Sequence, residues 1–109
     1  MKLFETRQIR EARAFAAGGG QALHLMTGDW ARGWGGPACF QRAKEFAHLF
    51  DQDVSRLIGT ARRLGVRKVA VHGPRTPGQH VDLCGRPLRV AKRMAAMPPA
   101  TSGESVQSV

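Results

Sequence analysis

Hydrophobic and polar positions repeat with different periods along the chain, and these periods predict its helices and strands. Residues 21–27, QALHLMT, form a short, mostly apolar run that indicates a buried strand. Residues 54–64 repeat apolar side chains at i, i+3, i+4, i+7 and i+10, which predicts an amphipathic helix. Gly65 would end this helix, and either Asp51 or Asp53 would cap its first turn.

The remaining segments are shorter or less regular. Residues 3–17 fit a helix, but the first five of them fit a strand equally well. Residues 28–37 hold four glycines and a proline, which is typical of a loop. Four further segments have a clear period, two of them strand-like, 66–73 and 80–84, and two helical, 38–50 and 87–97.

This order of elements predicts the fold class. Strands joined through helices favour a parallel pair with a right-handed crossover. We therefore predict an α/β fold in which a small sheet of two or three strands, with a parallel crossover, is packed by three or four helices. A chain of 109 residues is long enough for one such domain, which we assign to residues 1–97. Residues 98–109 are rich in proline and serine and predict a flexible polar tail.

Basic residues are concentrated in one half of the chain, and this distribution bears on the kind of partner the protein binds. The net charge is +9, and residues 54–93 contain ten basic side chains and one acid, Asp82. A field of this kind attracts polyanions such as nucleic acid, a nucleoprotein or an acidic protein surface. Trp30 and Trp34, in the glycine-rich loop, could stack on bases or fill a partner's pocket. The cations predicted to contact nucleic acid are Arg56, Arg63, Arg67, Lys68, Arg86, Arg89, Lys92 and Arg93.

A second candidate site comes from histidine and aspartate residues near the strand ends. In an open α/β sheet, ligands bind where the strands end. Histidine nitrogen and carboxylate oxygen together suit zinc, manganese or iron. We therefore predict a possible divalent-metal site from His24, His72, His80 and Asp82, with His72, His80 and Asp82 as catalytic candidates. The alternative for each residue is an ordinary structural role, and a nucleophilic pair of Cys84 and His80 is less favoured because four residues of extended chain separate them.

Three segments, LHLMTGD, DQDVSRLIGTARRLGVRKVAVHG and HVDL, resemble a family of short bacterial proteins of uncharacterised function. Members of that family have a His-Leu pair near the start, an Asp before a helix that ends in Ala-Arg-x-Leu-Gly, and a His-Tyr-Asp after the next strand. The resemblance implies an α/β fold. It matches His24, Asp51 or Asp53, His80 and Asp82 to the family's positions and implies no particular reaction.

These observations leave three functional hypotheses. The first is a small basic binding protein of prokaryotic or phage type that engages nucleic acid through its arginine-rich helices. The second is a metal-dependent hydrolase or nuclease, and the third is a protein-binding inhibitor or assembly subunit. The charged N-terminus, the lack of a long apolar run and only two cysteines, Cys39 and Cys84, predict a cytoplasmic protein without a membrane partner.

Overall fold

A computed structural model describes residues 1–27 and 45–97 of the chain. These residues form a four-stranded mixed sheet with three α-helices, which confirms the predicted α/β class with more strands than expected. The predicted polar tail at 98–109 lies outside the described residues. In chain order, the elements are β1 (Lys2–Phe4), a 3₁₀ turn (Thr6–Gln8), α1 (Ile9–Ala17), β2 (Gln21–Thr27), β3 (Glu45–Asp51), α2 (Val54–Leu64), β4 (His80–Leu83) and α3 (Gly85–Ala96).

The strands lie in the order β1-β2-β3-β4, so their order in space follows their order in the sequence. Strands β1 and β2 are parallel and are connected through α1. The β2–β3 and β3–β4 pairs are antiparallel. A parallel pair connected through a helix is therefore present, but it joins β1 to β2 and does not involve residues 66–73.

Two predicted elements differ in the structure. Residues 45–51, assigned to the end of a helix over 38–50, form strand β3. Apolar residues occupy both faces of β3, so the period of two is hidden and the remaining spacing imitates a helix. Residues 66–73 do not form a strand and make only one isolated bridge, between His72 and His80. The short β4 offers too few backbone groups to pair with the whole segment.

Both faces of the sheet are packed by helices. Helices α2 and α3 cover one face and, with Leu23, Leu49 and Val81, enclose the larger core. Helix α1 covers part of the other face, where it packs on Ala22 and Phe50. Because strand side chains alternate, this second face also receives the polar residues of β2, β3 and β4.

The start of α2 is fixed by two aspartates with different roles. Asp53 is the N-cap, and its Oδ1 accepts a hydrogen bond from the Arg56 amide. Asp51 is fully buried and accepts two hydrogen bonds from the Arg56 guanidinium, at 2.7 and 2.8 Å, and one from Gln21. The helix ends as predicted at Gly65, whose φ of 103° lies in the left-handed region.

Candidate metal centre

Strands β2, β3 and β4 each place one polar side chain in a single row across the sheet. His24 of β2 pairs with His48 of β3, and His48 pairs with Asp82 of β4. His80 lies two residues before Asp82 on the same face, and the isolated bridge brings His72 beside His80. His48, His72 and His80 therefore surround one carboxylate, and His24 contacts His48 behind them. We call His24, His48, His72, His80 and Asp82 the His/Asp cluster.

The Asp82 carboxylate is the centre of the His/Asp cluster, and its side chain is only 6% exposed. The Nε2 atoms of His80 and His48 lie 3.3 and 3.8 Å from Oδ1, and Nε2 of His72 lies 3.4 Å from Oδ2. The contacts to Oδ1 do not have hydrogen-bond geometry, so this buried oxygen has no hydrogen-bond partner among the described residues. A buried carboxylate is costly unless positive charge neutralises it, so Oδ1 favours a cation as its neighbour.

The hydrogen bonds of His24 determine which ring nitrogen of neutral His48 carries the hydrogen. Nε2 of His24 lies 3.0 Å from the Thr6 carbonyl, which can only accept, so this nitrogen carries the hydrogen. In the neutral ring, Nδ1 of His24 is then an acceptor, and Nδ1 of His48, 3.2 Å away, must donate to it. Neutral His48 therefore turns an unprotonated Nε2 towards Asp82.

His80 has the same arrangement with a different partner. Its Nδ1 lies 2.7 Å from the Gly78 carbonyl and donates to it, which leaves Nε2 of the neutral ring as a lone pair facing Asp82. Two nitrogen lone pairs and one carboxylate oxygen repel one another unless a proton or a metal ion lies between them. Histidines that bind metals usually donate their other ring N–H in this way, which fixes the orientation of the ring.

The dimensions of the group also suit a metal ion. The ligand atoms of His48, His80 and Asp82 all lie within 4.8 Å of one another. In a tetrahedral zinc site, ligand atoms about 2.1 Å from the metal are about 3.4 Å apart. The distances of 3.3 and 3.8 Å from Oδ1 to the two imidazoles bracket this value. Three protein ligands would leave one position open, as in catalytic zinc sites.

His24 and His48 both favour the neutral state, and His48 needs this state to bind a metal ion. Burial lowers the pKa of His24. Burial, followed by the charge of His80, lowers the pKa of His48 to about 4, although Asp82 opposes this effect. For His80, burial lowers the pKa, but the contact with Asp82 and the bond to the Gly78 carbonyl outweigh it, so the pKa is raised. The raised pKa favours the protonated ring of His80 in the absence of a metal, and its positive charge would then partly neutralise Asp82.

Most of the residues predicted to bind metal come together, but not all face the same point. His80 and Asp82 lie in the ligand group, and His72, whose side chain is 51% exposed, stands at its edge. His24 is fully buried and contacts His48 instead of Asp82. It therefore supports a candidate ligand and is not placed to be one.

His48 was missed because residues 38–50 were interpreted as an amphipathic helix with His48 on its polar side. One available signal was the local sequence. In both LHL, residues 23–25, and AHL, residues 47–49, a single histidine stands between apolar residues. The two segments share this short pattern, and the β2–β3 pairing places His24 against His48.

Arg13 is a further residue that the sequence did not single out. It lies on α1, and its guanidinium carbon is 5.8 Å from the centre of the Phe50 ring. The Phe50 ring in turn lies 5.4 Å from the rings of both His48 and His80. Arg13 also lowers the pKa of His48 by its charge, after the larger effect of burial. An arginine side chain thus stands beside the His/Asp cluster on the same face of the sheet.

The predicted nucleic-acid contacts divide into paired and unpaired cations. Arg56 is held by Asp51, and Lys92 is paired with Glu45 at 2.8 Å. Helices α2 and α3 pack on the sheet face opposite to the His/Asp cluster, so their cations do not surround it. Among the described residues, the predicted cations without a carboxylate within 4.0 Å are Arg63, Arg67, Lys68, Arg86, Arg89 and Arg93.

The remaining candidates from the sequence are the two tryptophans of the glycine-rich loop and Cys84. Trp30 and Trp34 lie outside the described residues, as does Cys39, so the proposed stacking role stays a prediction. Cys84 is buried at the N-cap of α3 and is disulfide-bonded. It has no free thiol for the nucleophilic pair with His80.

Comparisons with known proteins do not place the chain in a family. Searches of protein-family models, of curated proteins and of solved structures each found no match. None of the helices in the described ranges has the length and apolar character to cross a membrane.

Proposed function

We propose that His48, His80 and Asp82 bind one divalent metal ion and that the protein is a metal-dependent hydrolase. The observation that carries this proposal is Oδ1 of Asp82, a buried carboxylate oxygen that faces two imidazole Nε2 atoms and has no hydrogen-bond partner in the described part of the chain. Two imidazoles and one carboxylate suit zinc best, and they also suit iron(II).

The neighbouring residues support hydrolysis in preference to a purely structural metal. A structural zinc site normally has four protein ligands, whereas residues 1–27 and 45–97 supply a group of three, which would leave one position open. When bound, the metal would polarise a substrate oxygen and lower the pKa of a water molecule. We assign to His72, which is half exposed and adjacent to Asp82, the role of accepting a proton from that water.

Arg13 supports an anionic substrate, and a phosphate ester fits it best. Its planar guanidinium can hold two oxygens of a phosphate group while the metal binds another. The basic helices α2 and α3 lie on the other face of the sheet and do not take this role. Arg13 would therefore position the substrate.

Metal binding is tested directly by calorimetric titration of the chelator-treated protein with zinc, manganese and iron(II). We expect one zinc ion per chain and a loss of affinity of at least tenfold in Asp82→Asn, because removal of the charge removes a ligand. Glu11→Gln, on the exposed surface of α1, removes a carboxylate away from the site and is the matched control. Equal zinc binding by Asp82→Asn and wild type, or no binding by wild type, would overturn the metal site.

Hydrolysis is tested separately with a chromogenic phosphodiester and phosphomonoester. The zinc-loaded protein should release product, chelator should stop the reaction, and added metal should restore it. Asp82→Asn should be inactive at metal concentrations that saturate the wild type. A protein that binds zinc with the expected affinity but hydrolyses neither ester would reject the hydrolase while retaining the metal site.

A further inference from the structure

A groove lies between the C-terminal end of α2 and the N-terminal end of α3, away from the His/Asp cluster. Its volume is about 580 Å³, and three arginines, Arg63, Arg67 and Arg86, line it together with apolar atoms of Leu64 and Val90. All three arginine side chains are exposed. We call this feature the arginine groove.

Among residues 1–27 and 45–97, no carboxylate neutralises the charge of the arginine groove. Its three arginines make no ion pair within 4.0 Å in the described part of the chain. Asp82 is the only acidic residue between 54 and 97, and it lies on the opposite face of the sheet. Arg56, by contrast, is bound to buried Asp51. The groove thus presents guanidinium groups that are free for an external anion.

The start of α3 adds to this positive field. Cys84, the N-cap, makes no side-chain hydrogen bond to the helix, and the first turn contains no acidic residue. The first-turn amides of a helix carry partial positive charge, which favours anions and disfavours a cation such as Arg86. An arginine at this position is stabilised when an anion binds beside it.

We propose that the arginine groove binds the phosphodiester backbone of a nucleic acid. Guanidinium groups can donate two parallel hydrogen bonds to one phosphate, a geometry that a lysine-rich surface does not offer. The charge continues along α3, because Arg89 and Arg93 follow Arg86 at i+3 and i+7 and extend the row by about 10 Å. A regular row of cations fits a regular row of phosphates better than the irregular charges of an acidic protein. Backbone contacts of this kind carry no sequence preference.

The test measures binding of metal-free protein to labelled duplex DNA and duplex RNA of the same sequence by fluorescence anisotropy at several salt concentrations. The double variant Arg67→Gln/Arg86→Gln removes two groove charges, and Arg7→Gln/Arg10→Gln removes two exposed charges from the α1 side. We expect the groove variant to lower the slope of log K against log salt by about 1.8, because each phosphate contact contributes about 0.9. The α1-side variant should change that slope by less than half as much.

Each outcome of this test decides the proposal. Binding of either duplex with the expected slope change supports a backbone site, and the two duplexes show which nucleic acid is preferred. Equal effects of the two double variants would overturn it, since net charge alone would then explain binding. Absence of binding to both duplexes, or tighter binding of polyglutamate than of either duplex, would also overturn it. The proposed hydrolase is unaffected, because the metal-free protein is used and the groove lies on the other face.

Discussion

Protonation of His48 should destabilise the metal-free protein in acid. The His48 side chain is 15% exposed, and burial is the largest cause that lowers its pKa from 6.5 to about 4. The charges of His80, His24 and Arg13 lower it further, while Asp82 opposes them. In the unfolded chain the imidazole is solvated and keeps its ordinary pKa. Folding therefore favours the neutral ring.

The difference between the two pKa values sets the magnitude. One pKa unit corresponds to about 1.4 kcal/mol, so a difference of about 2.5 units (6.5 minus about 4) is worth about 3 kcal/mol. The folded pKa is below the unfolded one, so this contribution is fully present above about pH 6.5 and is lost as the pH falls through about 4. Between pH 7.5 and 4.5, most of this free energy, about 2–3 kcal/mol, should be lost.

Urea unfolding of wild type and His48→Gln, followed by far-ultraviolet circular dichroism in the presence of chelator, measures this contribution. The free energy of unfolding of wild type should fall by about 2–3 kcal/mol more than that of the variant between pH 7.5 and 4.5. The comparison between variants is necessary because the raised pKa of His80 acts in the opposite direction, stabilising the protein in acid. His72→Gln, at the exposed edge of the cluster, is the matched control and should follow wild type. The same pH dependence in His48→Gln and wild type would refute the reasoning.

Three further predictions test other parts of the structure. Arg56→Gln should lower the free energy of unfolding by about 2 kcal/mol, because buried Asp51 loses two charge-assisted hydrogen bonds; an unchanged urea midpoint would contradict this. Gly65→Ala should lower the free energy of unfolding by about 1 kcal/mol, because the φ of Gly65 is 103°, whereas Gly59→Ala within α2 should raise it. Equal urea midpoints of the two variants would argue against the left-handed cap. Arg13→Gln should raise KM for a phosphate ester about tenfold without weakening zinc binding; an unchanged KM would remove Arg13 from substrate binding.

The parts of the fold that the sequence predicted are those where local signals agree. For α2, the apolar spacing, the Asp53 cap and Gly65 all indicate the same helix, and the structure has it. Strand β2 was also predicted with its observed bounds. Strand β3 was not, because its two faces are both buried and the alternation that identifies a half-exposed strand is absent.

The candidate site was predicted in part for a related reason. His80 and Asp82 share a face of one strand, and this can be deduced from their spacing alone. The contribution of His48 depends on the pairing of β3 with β4, a contact between segments far apart in the chain. No local pattern encodes that pairing, so the third ligand became visible only with the register of the sheet.

The row formed by His24, His48 and Asp82 also has a consequence for folding. A shift of β2, β3 or β4 by one residue would turn its polar side chain into the apolar core under α2 and α3, where burial of an imidazole or carboxylate is costly. The row of His24, His48 and Asp82 therefore destabilises sheets with an incorrect strand register, even without a ligand. A metal ion that binds only to the correctly paired strands would stabilise the native register further. The fraction of chains that bind zinc would then measure the fraction that has the native strand pairing.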